Sequence, residues 1–203
     1  MKLYHAPASP YVRKVMVLAH ETGLVDLIEV EGVTTAPASP DAGVAKANPV
    51  KKIPALVTDD GLALFDSPVI CEYLDSQHEG PKIFPEPGNA RWHALRLQAA
   101  ADGLMDAAIL IIYEGRIRPE ELHYKPWTDA QMGKVDGALA ALNTWSEDFG
   151  DRVDIGTITT ACALGYLDFR FADKDWRGEN RALATWYERF SARPSMQATK
   201  PPA

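Results

Sequence analysis

Residues 54–68 read Pro54-Ala55-Leu56-Val57-Thr58-Asp59-Asp60-Gly61-Leu62-Ala63-Leu64-Phe65-Asp66-Ser67-Pro68. Two short apolar runs flank a turn that contains Asp-Gly, which predicts a β-hairpin. Pro54 cannot donate to a sheet ladder, so it belongs at the start of the first strand. Ser67-Pro68 then opens a helix carrying Val69, Ile70, Tyr73 and Leu74. Upstream, Lys2–His5 reads as a strand. Ser9-Pro10 starts a helix with Val12, Val15, Met16 and Ala19 on one face, closed at Gly23, and Leu27–Val30 reads as a second strand. A loop, or a loop with one helical turn, leads to Asn48-Pro49. The order is β-α-β-(loop or short helix)-β-β-α, and a hairpin that follows a βαβ unit implies a mixed sheet covered by helices.

Downstream the strand signals stop. Residues 79–88 hold three prolines and two glycines and read as a linker. Helical patterns then cover Asn89 to about Glu114, Thr128 to Phe149 with Thr128 as N-cap, Asp154 to about Phe171, and roughly Asn180 to Ala192. The expected fold class is therefore α/β plus all-α. A thioredoxin-like domain with a mixed four-stranded sheet spans 1–78, and a helical bundle spans 89–203.

With 46% hydrophobic and 24% charged residues, the 203-residue chain has the composition of a globular protein. A net charge of -7 and no basic run longer than Lys51-Lys52 argue against a nucleic-acid partner. The most apolar run, Ala107–Ile112, is far short of a membrane span, and the N-terminus lacks a signal peptide's apolar stretch. Only two cysteines are present, Cys71 and Cys162, both within helical patterns and read as core residues of a reducing compartment. These features predict a soluble cytoplasmic protein.

Three segments carry chemistry. Ser9-Pro10 places a hydroxyl at a helix N-terminus, where free N–H groups and the macrodipole favour anions, thiolates included. Capping alone explains that serine. A hydroxyl also has a proton to give, and donating it to a thiolate lowers a thiol pKa from about 8.5 towards neutrality. Asp66-Ser67-Pro68 repeats the helix start with an acid before it, which suits the two opposite charges of an α-amino acid headgroup. In Asn48-Pro49-Val50-Lys51-Lys52-Ile53-Pro54, a cis Ile53-Pro54 bond would turn the Ile53 backbone towards an extended ligand, although most such bonds are trans.

Together, in this order and spacing, these segments resemble the glutathione transferases, in particular bacterial members with a serine at the first helix. The resemblance spans essentially the whole chain and extends to Cys162-Ala163-Leu164-Gly165-Tyr166-Leu167-Asp168-Phe169-Arg170-Phe171. It implies that Ser9 is the catalytic group, hydrogen-bonding the sulfur of glutathione as co-substrate. It implies that Ile53 pairs main chain to main chain beside a cis Pro54, that Asp66 and Ser67 hold the γ-glutamyl end, and that Lys52 lies near the glycyl carboxylate. Arg13 and Lys14 are expected to be solvated. Cysteine is absent at Ser9 and Val12, which excludes the dithiol chemistry of glutaredoxins at this position.

Two departures from the family pattern stand out. Lys51 occupies a place where glycine is common, so the loop is expected to bend differently. Asp154 and Thr157 exchange the usual hydroxyl and acid of a helix cap.

The long helix supplies further candidates: Asp102 for a cross-subunit glutathione contact in a homodimer, and Met105, Ala108, Ile109 and Tyr113 for the wall of a site for a small hydrophobic electrophile. An apolar stripe of this kind also serves as plain core. Trp92, Trp145, Trp176 and Trp186 are expected to pack. The five histidines show no metal-ligand spacing, so no metal is expected. The expected activity is glutathione transfer in detoxification; the alternative is a non-catalytic glutathione-binding or regulatory protein of the same fold.

Overall fold

The structure is a computed structural model that describes residues 1–202. The chain divides into two units: Met1–Phe84 together with the segment from Arg193 onward, and Pro85–Ala192. The sequence assigned everything from 89 onward to the helical unit. The last segment instead belongs with the first.

In the first unit, β1 (Lys2–His5), β2 (Glu29–Gly32), β3 (Ala55–Val57) and β4 (Ala63–Leu64) form one sheet in the order β2-β1-β3-β4. β1 runs parallel to β2 and antiparallel to β3, and β3 antiparallel to β4. The register pairs Leu3 with Leu56 and Leu56 with Leu64, so these leucines share one face, and Leu3 and Leu56 are fully buried. Helices α1 (Pro10–Glu21) and α3 (Ser67–Ser76) pack on each other and bury Val12, Val15, Leu18, Ile70 and Leu74. The short α2 (Ala42–Ala47) packs on β3, and a Cβ at its Gly43 would stand 2.9 Å from the Tyr4 ring.

β2 begins two residues later than expected, and Val25–Leu27 forms a single 3-10 turn. All four β2 residues are exposed, so this edge strand lacks the alternation that would have marked its start. The linker is tied at its near end. Buried Asp75 accepts from the backbone N–H of Ile83 at 2.7 Å and of Phe84 at 3.0 Å, which keeps both residues in the first unit.

The second unit contains α4 (Asn89–Ile117), α5 (Lys125–Trp145), α6 (Ile155–Arg170), α7 (Trp176–Glu179) and α8 (Arg181–Ser191). α4 packs on α5 and α6, and every residue of α6 from Ile155 to Leu167 is buried. Gly156 makes this approach possible: a Cβ there would lie 2.6 Å from the Ala94 carbonyl oxygen and 2.6 Å from the Leu97 Cβ. Thr128 is not an N-cap; α5 starts at Lys125, and the Thr128 hydroxyl donates to the Lys125 carbonyl at 2.9 Å.

The exchanged acid and hydroxyl at α6 form a complete capping box. Thr157 N–H donates to Asp154 Oδ1 and Asp154 N–H donates to Thr157 Oγ1, both at 2.9 Å. Trp176 and Trp186 are buried, and Trp145 is half-buried with Arg96 stacked over it at 4.2 Å. Trp92 does not pack; it is 68% exposed. Both cysteines are buried, and neither forms a disulfide. No helix among the described residues is long and apolar enough to cross a membrane.

Candidate functional site

The sheet register decides which segments meet. β1 ends at His5, and the chain turns through Ala6-Pro7-Ala8 into Ser9 and α1. β3 runs antiparallel to β1 and pairs its first residue, Ala55, with Tyr4, so Ile53 and Pro54 lie at that same end. β4 runs back towards this end, because Leu64 pairs with Leu56, and it leads through Phe65 into Asp66 and α3. Ser9, Ile53 and Asp66-Ser67 therefore come to one end of one sheet, and the N-termini of two helices open there.

Ser9 occupies the N-cap of α1 with extended backbone (φ -83, ψ 120), and its Oγ accepts from the Val12 N–H at 3.3 Å. Among the described residues, none accepts the Ser9 hydroxyl proton. The first turn of α1 contains no acid, so the terminus keeps its positive end uncompensated. At α3 the N-cap position is Asp66, not Ser67, and its side chain makes no cap bond. Asp66 is exposed, while Ser67 is 2% exposed at the first helical position. The α3 terminus thus has N–H groups that its own cap does not satisfy.

The Ile53-Pro54 bond is cis. The loop before it is braced by buried Asn48, whose Oδ1 accepts from the Val50 N–H at 3.0 Å and whose Nδ2 donates to the Lys52 carbonyl at 2.8 Å. Lys51 has φ 58, the left-handed conformation that glycine adopts without cost, so the loop keeps a glycine-type bend despite the substitution. Among the described residues, no group bonds the main chain of Ile53, which lies two residues ahead of β3. Lys52 is exposed and Ile53 half-buried.

Arg13 and Lys14 are not solvated. Arg13 is 7% exposed and Lys14 fully buried. Arg13 Nη2 donates to the Met196 carbonyl at 3.1 Å, and its Nε to Thr199 Oγ1 at 3.5 Å. Met196 lies on α9 (Pro194–Ala198), an element the sequence did not suggest. Asn48 and Arg13 are the structural residues that sequence reasoning missed. Asn48 had a signal, an Asn-Pro pair next to the cis bond, but Arg13 had none.

In the helical unit, Met105 and Ala108 have no exposed surface, whereas Asp102, Ile109 and Tyr113 are partly exposed on α4. Burial pushes the Tyr113 phenol above its ordinary pKa, opposed by nearby Arg116, so it remains a hydrogen-bond donor at neutral pH. No cluster of three or more His, Cys, Asp or Glu able to hold a metal occurs among the described residues.

A sheet of this topology with two helix N-termini at the end where a cis-proline strand begins is a thioredoxin-type ligand cradle, here followed by a helical unit. The chain matches the family description "Glutathione S-transferase, N-terminal domain" over residues 3–82 and "Glutathione S-transferase, C-terminal domain" over 125–189. It is 34% identical to the uncharacterized GST-like protein YibF of Escherichia coli K12, covering all of this chain and 99% of the other. It is similar to a glutathione transferase family member from Pseudomonas fluorescens Pf-5 solved with bound glutathione, at 49% identity, TM-score 0.98, and coverage of 100% and 99% of the two chains. A Pseudomonas fluorescens Pf-5 family member with bound S-(propanoic acid)-glutathione matches at 47% identity, TM-score 0.92, with both chains fully covered. The protein belongs to the glutathione S-transferase superfamily.

Proposed function

We propose that this protein is a glutathione S-transferase of the serine type, which binds glutathione as co-substrate and stabilises its thiolate for attack on a small hydrophobic electrophile. The observation that carries the proposal is the Ser9 hydroxyl. It stands at a helix N-terminus, its proton uncommitted among the described residues, at the sheet end shared by Ile53 and the start of α3. A donor at that point stabilises the ionised sulfur, and the helix terminus adds to it.

Ser9 would act as hydrogen-bond donor and not as covalent nucleophile. The unpaired main chain of Ile53, beside cis Pro54, suits pairing with the cysteinyl peptide group. The α3 terminus suits the γ-glutamyl carboxylate through Ser67, with Asp66 for its ammonium, and Lys52 suits the glycyl carboxylate. On α4, partly exposed Ile109 and Tyr113 suit the electrophile's wall better than the wholly buried Met105 and Ala108. A homodimer with Asp102 reaching the partner's glutathione is part of the proposal.

The test is a calorimetric titration of glutathione into wild type and Ser9→Ala, with the bound thiolate's ultraviolet absorbance followed against pH. Wild type should bind with the thiol ionising well below its free value of about 8.5, and Ser9→Ala should bind but lose that shift. Absence of glutathione binding overturns the proposal. Binding with no turnover on aryl halides, epoxides or peroxides favours the non-catalytic alternative.

A further inference from the structure

A cavity of about 140 Å³ lies in the first unit, bounded by the end of β1, one face of α1 and the segment after α9. It contains none of the residues assigned to glutathione. Its polar lining is His5, Arg13, His20, Thr199 and Lys200, while Val12 and Met16 give it an apolar wall. Among the described residues, no aspartate or glutamate lines it, in a chain whose net charge is -7.

The deciding feature is Arg13. Its guanidinium is always charged, and the residue is more than nine-tenths buried. Buried charges are normally paired. Among the described residues, no carboxylate pairs with Arg13; its two recorded bonds go to a neutral carbonyl and a neutral hydroxyl. Those use two of its five N–H donors. Glu21, the acid at the far end of α1, is committed to Arg193 and Ser195. Lys200 adds a second fixed positive charge to the lining. Burial holds the His5 imidazole below the ordinary histidine range, so it offers a neutral ring that can bond a ligand without charging.

We propose that this cavity is an anion site for a small organic monocarboxylate, with Arg13 and Lys200 binding the carboxylate and Val12 and Met16 enclosing its apolar body. The volume resembles that of a buried cavity known to admit benzene. A planar carboxylate matches the guanidinium fork in a way that a spherical ion does not. The site shares none of the residues assigned to glutathione, although its lining residues Ala6, Pro7 and Val12 adjoin Ser9, and it does not depend on the transferase activity.

Benzoate and its neutral isostere benzamide, titrated calorimetrically into the full chain with and without saturating glutathione, test the proposal. Benzoate should bind at least about tenfold more tightly than benzamide, and should bind equally with glutathione present. Lys200→Ala should weaken benzoate several-fold, and Met16→Trp, which fills the cavity, should abolish binding while leaving glutathione affinity unchanged. These two variants avoid the buried Arg13, whose loss would disturb α9. Equal affinity for benzoate and benzamide, no benzoate binding, displacement of benzoate by glutathione, or indifference to Met16→Trp would each overturn it.

Discussion

The Glu21 carboxylate and the Arg193 guanidinium meet fork to fork, Arg193 Nε donating to Oε1 at 2.9 Å and Nη2 to Oε2 at 2.8 Å. Ser195 donates a third bond to Oε1. Glu21 is the last residue of α1, and Arg193 and Ser195 flank the start of α9, so the pair fastens one helix to the other.

Glu21 should therefore titrate below its ordinary value of 4.5, chiefly through the Arg193 hydrogen bond. A carboxyl whose folded pKa is depressed contributes stability above its unfolded pKa and loses it as pH falls through the folded one. Wild type should lose this contribution below about pH 4.5, whereas Glu21→Gln should lack it already at pH 7. Arg193 is over a third exposed, and screening limits the expected cost of Glu21→Gln to about 1 kcal/mol. Urea unfolding of both proteins at pH 7 and pH 3.5 measures this; a difference that persists undiminished at the lower pH would contradict it.

His5 carries the opposite slope. Its folded pKa lies below the ordinary 6.5 because burial disfavours the charged ring. The unfolded chain then takes up a proton first, so stability falls as pH drops through 6.5. An NMR titration of the His5 Cε1 proton should give a midpoint under 6.5, and His5→Gln should remove that part of the pH dependence of unfolding.

Lys51 pays for a left-handed backbone, at φ 58, that glycine adopts freely. Such a conformation costs a residue with a Cβ about 1–2 kcal/mol, partly offset in the comparison by glycine's greater freedom when unfolded. Lys51→Gly should raise stability by about 0.5–1 kcal/mol. Lys51→Val should lower it, since a β-branched residue tolerates this region least. Thermal melts of the three proteins rank them.

Gly156→Ala should be among the most damaging small substitutions. Its Cβ would meet the backbone oxygen of Ala94 at 2.6 Å, and that oxygen cannot swing aside as a flexible side chain would. Separating α4 from α6 should cost about 1–3 kcal/mol or more. Chemical denaturation reads it directly, with Gly137→Ala, an exposed position inside α5 whose Cβ would meet nothing within 4 Å, as the control expected to gain about 0.5–1 kcal/mol.

What the sequence disclosed follows from how far each interaction reaches along the chain. Ser9, Pro54 and Ser67 were legible because helix starts and strand starts are written within three or four residues. A mixed sheet could be argued from a hairpin behind a βαβ unit, whereas the strand order came only from the structure. Arg13 was misjudged as solvated because its partners Met196 and Thr199 lie 183 and 186 residues away. α9 was missed for the same reason, being five residues long with no periodicity of its own. Lys51 by its type predicts a different loop, but Asn48 braces the segment from both sides and the lysine adopts glycine's conformation. Trp92 was expected to pack on the strength of its type, yet a large ring on the first turn of α4 finds little cover among the described residues.

Because the segment from Arg193 belongs with the first unit, that unit is written in two pieces separated by the whole of Pro85–Ala192. During synthesis, the sheet and α1 leave the ribosome long before α9 exists, and Arg13 must wait without the carbonyl and hydroxyl it will bury against. The helical unit, contiguous in sequence, has no such delay and can form in one stretch. The nascent first unit is therefore an incomplete product that becomes whole only when the chain is nearly finished, and a gene fragment ending at residue 84 would encode an α1 without α9, which packs on it.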